Sequence, residues 1–262
     1  MPRNDYEYRG MLASAWDLLR GDTSQWPDRA FYREVMSRYG EPALDVGCGT
    51  GRLLLDYLAA GLDVEGVDNS PEMLALCLEK AGALGLKPVV YEQTMETLQL
   101  PRHYRTIFVP SSSFLLLTER TDADEAMARF YTHLEPGGVL VMPFMVMRRG
   151  ATPPDGEWSD WHKTGERERP GDGALIRRWQ RMKFDDSEQW ESTQDRYEVI
   201  VADEVVQTEE HERSPAVRWY TPEQSLGLYE RVGFADVHAV SNFTFDPATP
   251  ADSIWTVFGT KP

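Results

Sequence analysis

The chain has 262 residues, of which 41% are hydrophobic, and it carries 43 acidic against 27 basic side chains for a formal net charge of −16. Nucleic-acid binding draws its affinity from lysine and arginine set against phosphates, so this charge disfavours a nucleic acid as partner. The two cysteines, Cys48 and Cys77, cannot build a disulfide framework and lack metal-ligand spacing, so no metal site is expected.

The beginning of the chain, residues 1–40, is predicted to form a helical cap. Its first residues are polar, and the chain has no run of about 18 apolar residues, so we expect a soluble, cytoplasmic protein without a membrane partner. Apolar residues recur at helical spacing over Tyr6–Leu19 and predict a first helix. Pro27 suits the first turn of a second helix, which is predicted to end near Tyr39.

The next part of the chain, residues 41–147, alternates short apolar runs with helical segments. Strands that alternate with helices imply parallel pairing through right-handed crossovers, and therefore a doubly wound α/β sheet. The predicted strands are Ala43–Val46, Leu62–Val67, Pro88–Tyr91, Thr106–Pro110 and Val139–Met145, and the predicted helices are Arg52–Ala60, Pro71–Leu84 and Asp122–Leu134.

From about Arg148 the pattern changes, and residues 148–219 are predicted to form an insertion. A loop over 150–173, rich in proline, glycine and charge, precedes three stretches in which β-branched and aromatic residues alternate with polar ones. These stretches predict a small antiparallel sheet after the fifth strand, with strands at Ala174–Phe184, Gln189–Val201 and Glu204–Trp219. The rest of the chain, residues 220–262, is predicted to return to the core through a helix ending at Gly233 and strands Asp236–Val240 and Ser253–Thr260.

A glycine-rich segment, Gly47-x-Gly49-x-Gly51, lies between the first predicted strand and a helix. Ligands of doubly wound folds bind beyond the carboxyl ends of the strands, and glycines there let the backbone turn tightly and approach the ligand. Asp68 ends the second predicted strand, 21 residues after Gly47, where a carboxylate can accept hydrogen bonds from both ribose hydroxyls. The loop, the helix and the acid together predict an adenosine site.

Two neighbours of the glycine loop decide which adenosine compound it suits. A dinucleotide fingerprint is G-x-G-x-x-G, and Arg52 stands where the third glycine would be. Asp45, just before the loop, would repel a pyrophosphate but attract the ammonium group of a methionine moiety. We therefore predict S-adenosyl-L-methionine as the cofactor and disfavour NAD.

Three segments resemble, in order, the motifs of class I S-adenosylmethionine-dependent methyltransferases. Leu44–Gly51 looks like their first motif, Gly66–Leu74 is similar to the second, and Leu134–Leu140 resembles the turn before the fifth strand. The resemblance covers residues 43–144 and implies a Rossmann-like, doubly wound mixed sheet, here with the helical cap and the antiparallel insertion. Val109–Phe114 and the inserted sheet are also similar to the small-molecule N-methyltransferases that dimethylate amino sugars.

The resemblance implies a cofactor role for each matching position. Gly47, Cys48 and Gly49 would lie against the methionine part, Asp68 would bind the ribose, and Pro110 would face the sulfonium. The family usually has an adenine-binding acid where this chain has Thr94, so either Thr94 or the Met95 amide would take over that contact. The complete predicted set is Asp45, Gly47, Cys48, Gly49, Gly51, Asp68, Asn69, Met73, Thr94, Met95, Pro110 and Ser111.

Candidates for the acceptor pocket come from the cap, from the segment after the fourth strand and from the insertion. Helices before the core often cover the active site in the resembled family, and an aromatic roof suits a flat or cationic substrate. Ordinary core packing explains the same aromatic residues equally well. The candidates are Tyr8, Trp16, Ser112, Phe114, Trp179 and Trp219, with His162 and His211 as candidate bases. The inserted sheet can roof the pocket, form a homodimer contact, or both.

The predicted function is an enzyme that transfers a methyl group from S-adenosylmethionine to nitrogen or oxygen of a small molecule. An activated methyl donor requires mainly that two reactants be held in line, so no catalytic residue is predicted. One alternative is methylation of tRNA or protein; the acidic charge disfavours tRNA, and Val109–Ser112 stands where many amino-base methylases have Asn-Pro-Pro-Tyr. The other alternative is a binding protein that keeps the cofactor site without catalysis.

Overall fold

The computed structural model describes residues 6–146 and 152–262. The predicted boundary between core and insertion, at residues 147 and 148, lies outside these ranges, as do residues 1–5 and the start of the predicted 150–173 loop. Within the described residues, no helix is long and apolar enough to cross a membrane.

The helices and strands follow the predicted order in the core. The helices are α1 (Gly10–Ser14), α2 (Trp16–Arg20), α3 (Pro27–Tyr39), α4 (Leu54–Ala59), α5 (Pro71–Leu84), α6 (Arg120–His133) and α7 (Pro222–Val232), with a 3₁₀ helix at Ser113–Leu116. The strands are β1 (Ala43–Val46), β2 (Val64–Asp68), β3 (Val90–Glu92), β4 (Tyr104–Phe108), β5 (Leu134–Met145), β6 (His162–Glu168), β7 (Leu175–Asp185), β8 (Trp190–Val201), β9 (Glu204–Arg218), β10 (Ala235–Ser241) and β11 (Ile254–Thr260).

The main sheet has the strand order β10-β11-β5-β4-β1-β2-β3. Strands β5, β4, β1, β2 and β3 are parallel, whereas β11 is antiparallel to both β5 and β10. The sheet is therefore mixed and doubly wound, and the predicted fold class is confirmed. The chain runs outward from β1 to β2 and β3, then returns to place β4 on the other side of β1. That reversal opens a crevice at the carboxyl end of β1, where doubly wound folds bind ligands.

Helices cover both faces of the main sheet. One apolar cluster joins α6 and α7 to side chains such as Leu44, Val46 and Ile107, and a second joins α3, α4 and α5 to Ala43 and Phe108. All four residues of β1 are consequently buried. A strand that is buried on both faces is expected to be apolar throughout, and β1 nevertheless contains an aspartate.

The helix that follows β2 begins where the sequence predicts, because its cap is local. The Ser70 hydroxyl accepts a hydrogen bond from the Met73 backbone N–H at 3.1 Å, and Pro71 occupies the first helical position. Gly85, with a left-handed φ of 70°, ends the helix. This helix fixes the direction in which the chain leaves Asp68.

The insertion forms its own antiparallel sheet in the order β6-β7-β8-β9. Strand β6 lies in the segment predicted to be a loop, and this part of the prediction was wrong. Its backbone pairs with β7 from His162 opposite Gln180 to Glu168 opposite Leu175, and Glu166 forms an ion pair with Arg177 across the strands. Charged residues suit an edge strand, because they keep the exposed edge from pairing with other chains.

The single helix predicted over Tyr6–Leu19 is also wrong. Residues 6–9 are not helical, and the helices α1 and α2 are separated at Ala15, which has φ −92° and ψ 0°. Contacts to distant elements satisfy the first N–H groups of α1: the Gly10 N–H donates to Glu72 at 2.7 Å, and the Met11 N–H donates to Glu209 at 2.8 Å. These tertiary hydrogen bonds support a helix that begins later than helical spacing predicts.

Candidate functional site

A cavity of about 270 Å³ lies at the carboxyl ends of β1, β2 and β4. Its walls come from the segment before and through α2, the glycine loop, the ends of β2, β3 and β4, and the inner face of the inserted sheet. The lining residues from the core include Asp45, Gly47, Cys48, Gly49, Asp68, Asn69, Met73, Thr94, Met95, Pro110, Ser111 and Ser112, and those from the cap include Tyr6, Tyr8, Trp16 and Arg20.

The glycine loop forms a floor of bare backbone under this cavity. Gly47, Gly49 and Gly51 have φ of 73°, 54° and 83°, which L side chains rarely adopt. The N–H groups of Gly47 and Cys48 both donate to the Val67 carbonyl, at 2.8 and 3.0 Å, which fixes the loop to the end of β2. A Cβ on Gly47 would lie 2.7 Å from the Ser113 hydroxyl oxygen, so the floor has no room for a side chain.

Gly51 serves packing and does not line the cavity. A Cβ there would lie 2.6 Å from the Cys77 sulfur and 2.8 Å from Leu55 Cγ, so Gly51 allows α4 and α5 to approach each other. Only glycine fits this position, for both steric and conformational reasons. The predicted cofactor role of Gly51 is therefore indirect, through the shape of the loop.

We expect Gly51→Ala to destabilise the fold more than Gly61→Ala. Both glycines have φ near 82°, but a Cβ on Gly61 meets nothing within 4 Å. The Gly61 change should cost about 1–2 kcal/mol of unfolding free energy from backbone conformation, and the Gly51 change roughly 1–3 kcal/mol more from overpacking. Urea denaturation of both variants measures the difference. Equal destabilisation would contradict the packing role.

Asp68 lies at the end of β2 and organises the loop around it. Its Oδ2 accepts from the Gly49 N–H at 2.8 Å, and its Oδ1 accepts from the Ser70 N–H at 2.9 Å. Burial raises the pKa of Asp68, and the hydrogen bonds from the Ser70, Gly49 and Asn69 backbone oppose that rise. Each carboxylate oxygen keeps a second lone pair, so the group can also accept hydrogen bonds from a ligand hydroxyl.

Asp45 is buried beneath the loop with only 1% of its surface exposed. Among the described residues, its Oδ1 has no hydrogen-bond partner. Burial raises the pKa of Asp45 to about 7, the Asp68 and Asp28 carboxylates add to the rise, and Arg52 opposes it. A buried carboxylate without a full set of partners is costly, so the cavity offers a place for a cationic group. The ammonium of the predicted cofactor fits that requirement.

The region after β3 meets the cavity with small and flexible side chains. The Thr94 hydroxyl lies 2.7 Å from the Thr97 hydroxyl, and the buried Met95 and Met73 side chains lie nearby in the cavity wall. Glu96 is the next acid along the chain, and it accepts a hydrogen bond from the Tyr6 hydroxyl at 2.7 Å. Glu96 therefore anchors the cap and does not take the place of the missing acid at position 94.

The cap crosses one side of the cavity through Tyr8, Trp16 and Arg20. The rings of Tyr8 and Trp16 meet edge to face with centroids 5.0 Å apart, and the Arg20 guanidinium lies 4.7 Å from the Trp16 ring centroid. Arg20 also donates to the Ser111 hydroxyl at 3.3 Å. Three of the predicted acceptor candidates, Tyr8, Trp16 and Ser112, thus lie in the wall of the same cavity as the glycine loop.

Three other acceptor candidates lie away from the cavity. Phe114 is completely buried in the core, with its ring centroid 6.2 Å from that of Phe144. Trp179 lies on the outer face of β7, because the cavity-lining Gln180 is its neighbour and side chains alternate along a strand; its indole N–H donates to Glu198 at 3.0 Å. Trp219 packs edge-on against Phe184, with centroids 5.9 Å apart.

The inserted sheet contributes a polar wall that sequence reasoning missed. Its inner face brings Gln180, Glu191, Thr193, Arg213, Ala216 and Val217 to the cavity. Burial raises the pKa of Glu191 to about 7; Arg213 opposes this rise and Asp195 adds to it. The sequence did contain a signal for this wall. Acidic or polar residues stand at every second position, 191, 193 and 195, and such alternation indicates that they share one face of a strand.

The candidate bases among the histidines do not reach this wall. His162 is exposed at the start of β6, and the His211 Nε2 lies 2.7 Å from the Glu209 carboxylate. Within residues 6–146 and 152–262, no group of three or more His, Cys, Asp or Glu side chains is arranged to hold a metal ion.

Known proteins are similar to this chain over the segments that contain the glycine loop and Asp68. Residues 43–138 match the family model described as a methyltransferase domain. The chain is 31% identical over 144 residues to a glycine/sarcosine N-methyltransferase of Halorhodospira halochloris, which covers 52% of each protein. The chain thus spans about half the length of the curated relatives it matches.

Solved structures are similar over nearly the entire chain. The CcbJ methyltransferase from Streptomyces caelestis superposes with a TM-score of 0.74 and 20% identity, covering 98% of this chain and 99% of that one. CalS10 from Micromonospora echinaspora, an amino pentose methyltransferase solved with S-adenosylmethionine bound, superposes with a TM-score of 0.64 and 22% identity. The match covers 97% of this chain and 98% of that one. At these identities the likeness establishes the fold, inserted sheet included.

Proposed function

Because residues 43–138 match a methyltransferase domain, we propose that this chain is a class I S-adenosylmethionine-dependent methyltransferase and that it transfers the methyl group of S-adenosylmethionine to a small-molecule acceptor. The observation that carries the proposal is a continuous cavity that extends from the glycine loop to the inner face of the inserted sheet. A cofactor and a small acceptor can therefore meet within it. Nitrogen is the acceptor atom that we favour.

The cofactor half of the cavity is formed by the glycine loop and its neighbours. Asp45 would pair with the amino-acid ammonium, Asp68 would accept from the ribose hydroxyls, and Met73 would pack against the adenine. When bound, S-adenosylmethionine supplies a methyl group already activated on a sulfonium. The remaining proposed contacts are those of Gly47, Cys48, Gly49, Asn69, Thr94, Met95, Pro110 and Ser111, with Gly51 acting through the loop.

The acceptor half is formed by the cap and the inserted sheet, with Tyr8 and Trp16 on one side and Glu191 on the other. Ring faces attract cations, and a carboxylate attracts them more strongly, so this surface suits an acceptor amine. The related proteins from H. halochloris and M. echinaspora are named for methylation of glycine or sarcosine and of an amino pentose. Small amines are therefore the first acceptors to test.

Calorimetry and a turnover assay test this proposal. We expect S-adenosylhomocysteine to bind the purified protein, and we expect S-adenosylhomocysteine to form when S-adenosylmethionine is incubated with an acceptor panel of glycine, sarcosine and amino-sugar nucleotides. If the protein bound S-adenosylhomocysteine and methylated tRNA or protein but none of the small molecules in the panel, the small-molecule assignment would be contradicted. Absence of binding would contradict the methyltransferase proposal as a whole.

A further inference from the structure

Glu191 is the acidic side chain on the inserted sheet that lines the cavity. It lies on the inner face of β8 and is 9% exposed. Among the described residues, its carboxylate has no hydrogen-bond partner or ion pair within 4.0 Å, although it is buried and charged groups surround it. A buried carboxylate without a hydrogen-bond partner is energetically costly, so we expect a group of the ligand to pair with it.

The charged groups around Glu191 come from its own strand β8 and from the two strands beside it, β7 and β9. On its own strand, Asp195 accepts from Arg178 at 2.6 Å and from Gln180 at 3.0 Å, both on β7. From β9, Arg213 lies 4.0 Å from the other Asp195 oxygen, and its guanidinium is 5.3 Å from the Tyr8 ring centroid. Arg178 offsets Asp195, whereas Arg213 is only loosely paired, because its Nε and Nη1 have no hydrogen-bond partner among the described residues. Arg213 therefore lines the cavity as a cation that acts on Glu191 without a hydrogen bond to it.

Other acids of the cavity belong to its opposite end. Asp68 holds the backbone of Gly49 and Ser70, and Asp45 lies beneath the loop. Neither can serve an acceptor that approaches from the inserted sheet. Glu191 is therefore the carboxylate on the acceptor side, next to the buried Thr193 hydroxyl, which also has no hydrogen-bond partner among the described residues.

We propose that the acceptor is an amine that enters as its ammonium, and that Glu191 is the catalytic residue that binds this ammonium and takes its proton. The inference rests on the proposed function. An ammonium nitrogen has no lone pair, so it must lose a proton before it can receive a methyl group. Arg213 opposes the protonation of Glu191 through its positive charge.

The step balances in atoms and electrons. One proton passes from the acceptor nitrogen to a Glu191 oxygen, which leaves the amine neutral and the glutamic acid uncharged. The freed nitrogen lone pair forms the new N–C bond to the methyl carbon while the C–S bond breaks and its electron pair stays on sulfur. The product amine is then cationic, and Glu191 returns its proton to water.

The test compares Glu191→Gln with a matched control, Glu210→Gln. Glu210 is on the neighbouring strand β9 but on the outer face, where its side chain is 60% exposed and pairs with Arg196. We expect both variants to bind S-adenosylhomocysteine within about twofold of wild type, since neither touches the cofactor half. With the acceptor found by the panel, Glu191→Gln should lower kcat by about a hundredfold or more, and the control should leave it unchanged.

A second readout needs no turnover. Protein labelled with carbon-13 at glutamate carboxyls is saturated with S-adenosylhomocysteine and titrated by NMR, with the Glu191 signal assigned from the Gln variant. Dimethylammonium chloride should lower the pKa of Glu191 by about one unit, because a cation favours the carboxylate, and neutral isopropanol should leave it in place. Wild-type turnover should rise with pH up to about 7, and the rise should be lost in the variant.

Two results would overturn the role of Glu191. One is full turnover by Glu191→Gln, and the other is a Glu191 carboxyl signal that does not respond to dimethylammonium. Either result, with normal S-adenosylhomocysteine binding, rejects the inference and leaves the methyltransferase proposal intact. Loss of S-adenosylhomocysteine binding by the wild-type protein would instead reject the proposed function.

Discussion

Replacement of Asp68 by alanine should weaken S-adenosylhomocysteine binding by about 100- to 1,000-fold, as measured by calorimetry at pH 8. Two charge-assisted hydrogen bonds to the ribose would be lost, each worth about 1.5–3 kcal/mol. The N–H groups of Gly49 and Ser70 would also lose their acceptor, so the loop would no longer be held in its binding shape.

The matched control is Asp63→Ala, just before the start of β2. The Asp63 side chain is 50% exposed and pairs with Arg102, so its removal should change binding little. Asp68→Asn keeps one acceptor oxygen and should lie between wild type and the alanine variant. If folded Asp68→Ala protein bound S-adenosylhomocysteine as tightly as wild type, the ribose contact would have to be assigned elsewhere.

The second large effect is the pH dependence of cofactor binding, which should follow Asp45. The pKa of Asp45 is about 7 without ligand, and a bound ammonium would lower it. Binding then releases a proton whenever the free protein holds one, so affinity should fall by up to about tenfold for each pH unit below 7. Calorimetry of S-adenosylhomocysteine binding between pH 5 and 8 measures the slope.

Asp45→Asn should remove this dependence and weaken binding at pH 8, because the amide cannot pair with the ammonium by charge. Asp63→Asn, at the surface, serves as the control and should keep the wild-type profile. The groups that act on Asp45 are the Asp68 and Asp28 carboxylates and the Arg52 guanidinium, and all three are unchanged in both variants. A wild-type affinity that stays level from pH 5 to 8 would contradict the role of Asp45.

The same carboxylate sets a pH dependence of stability. Its pKa is raised by folding, so its favourable contribution is complete below the unfolded value and is lost as pH rises through about 7. At pH 8 the ligand-free protein should therefore gain stability from Asp45→Asn, on the order of 3–4 kcal/mol at most. Urea denaturation at pH 5 and 8 checks the sign; a variant that is less stable than wild type by the same amount at both pH values would contradict it.

The sequence by itself predicted the α/β core and a methyltransferase domain; the strand order confirms the core, and the family match over residues 43–138 supports the domain. The reason is that the proposed cofactor site is local. The segment Ala43–Arg52 contains a buried strand, a loop that only glycines can form, and the start of a helix, and Asp68 ends the adjacent strand. The backbone conformation of the loop and the parallel pairing of β1 with β2 bring these parts together. Both can be recognised in the sequence, because the residues involved lie between Ala43 and Asp68.

The residues of the proposed acceptor wall could be identified only from the tertiary structure. Its parts come from the cap and from β7, β8 and β9, and a shift of one residue in strand register exchanges the inner and outer faces. Composition favoured Trp179 as a pocket residue, yet its neighbour Gln180 faces the cavity. Glu191 carried no sequence motif, because its chemical role depends on burial and on distance to Arg213 and Asp195, and only the packed sheet defines these quantities.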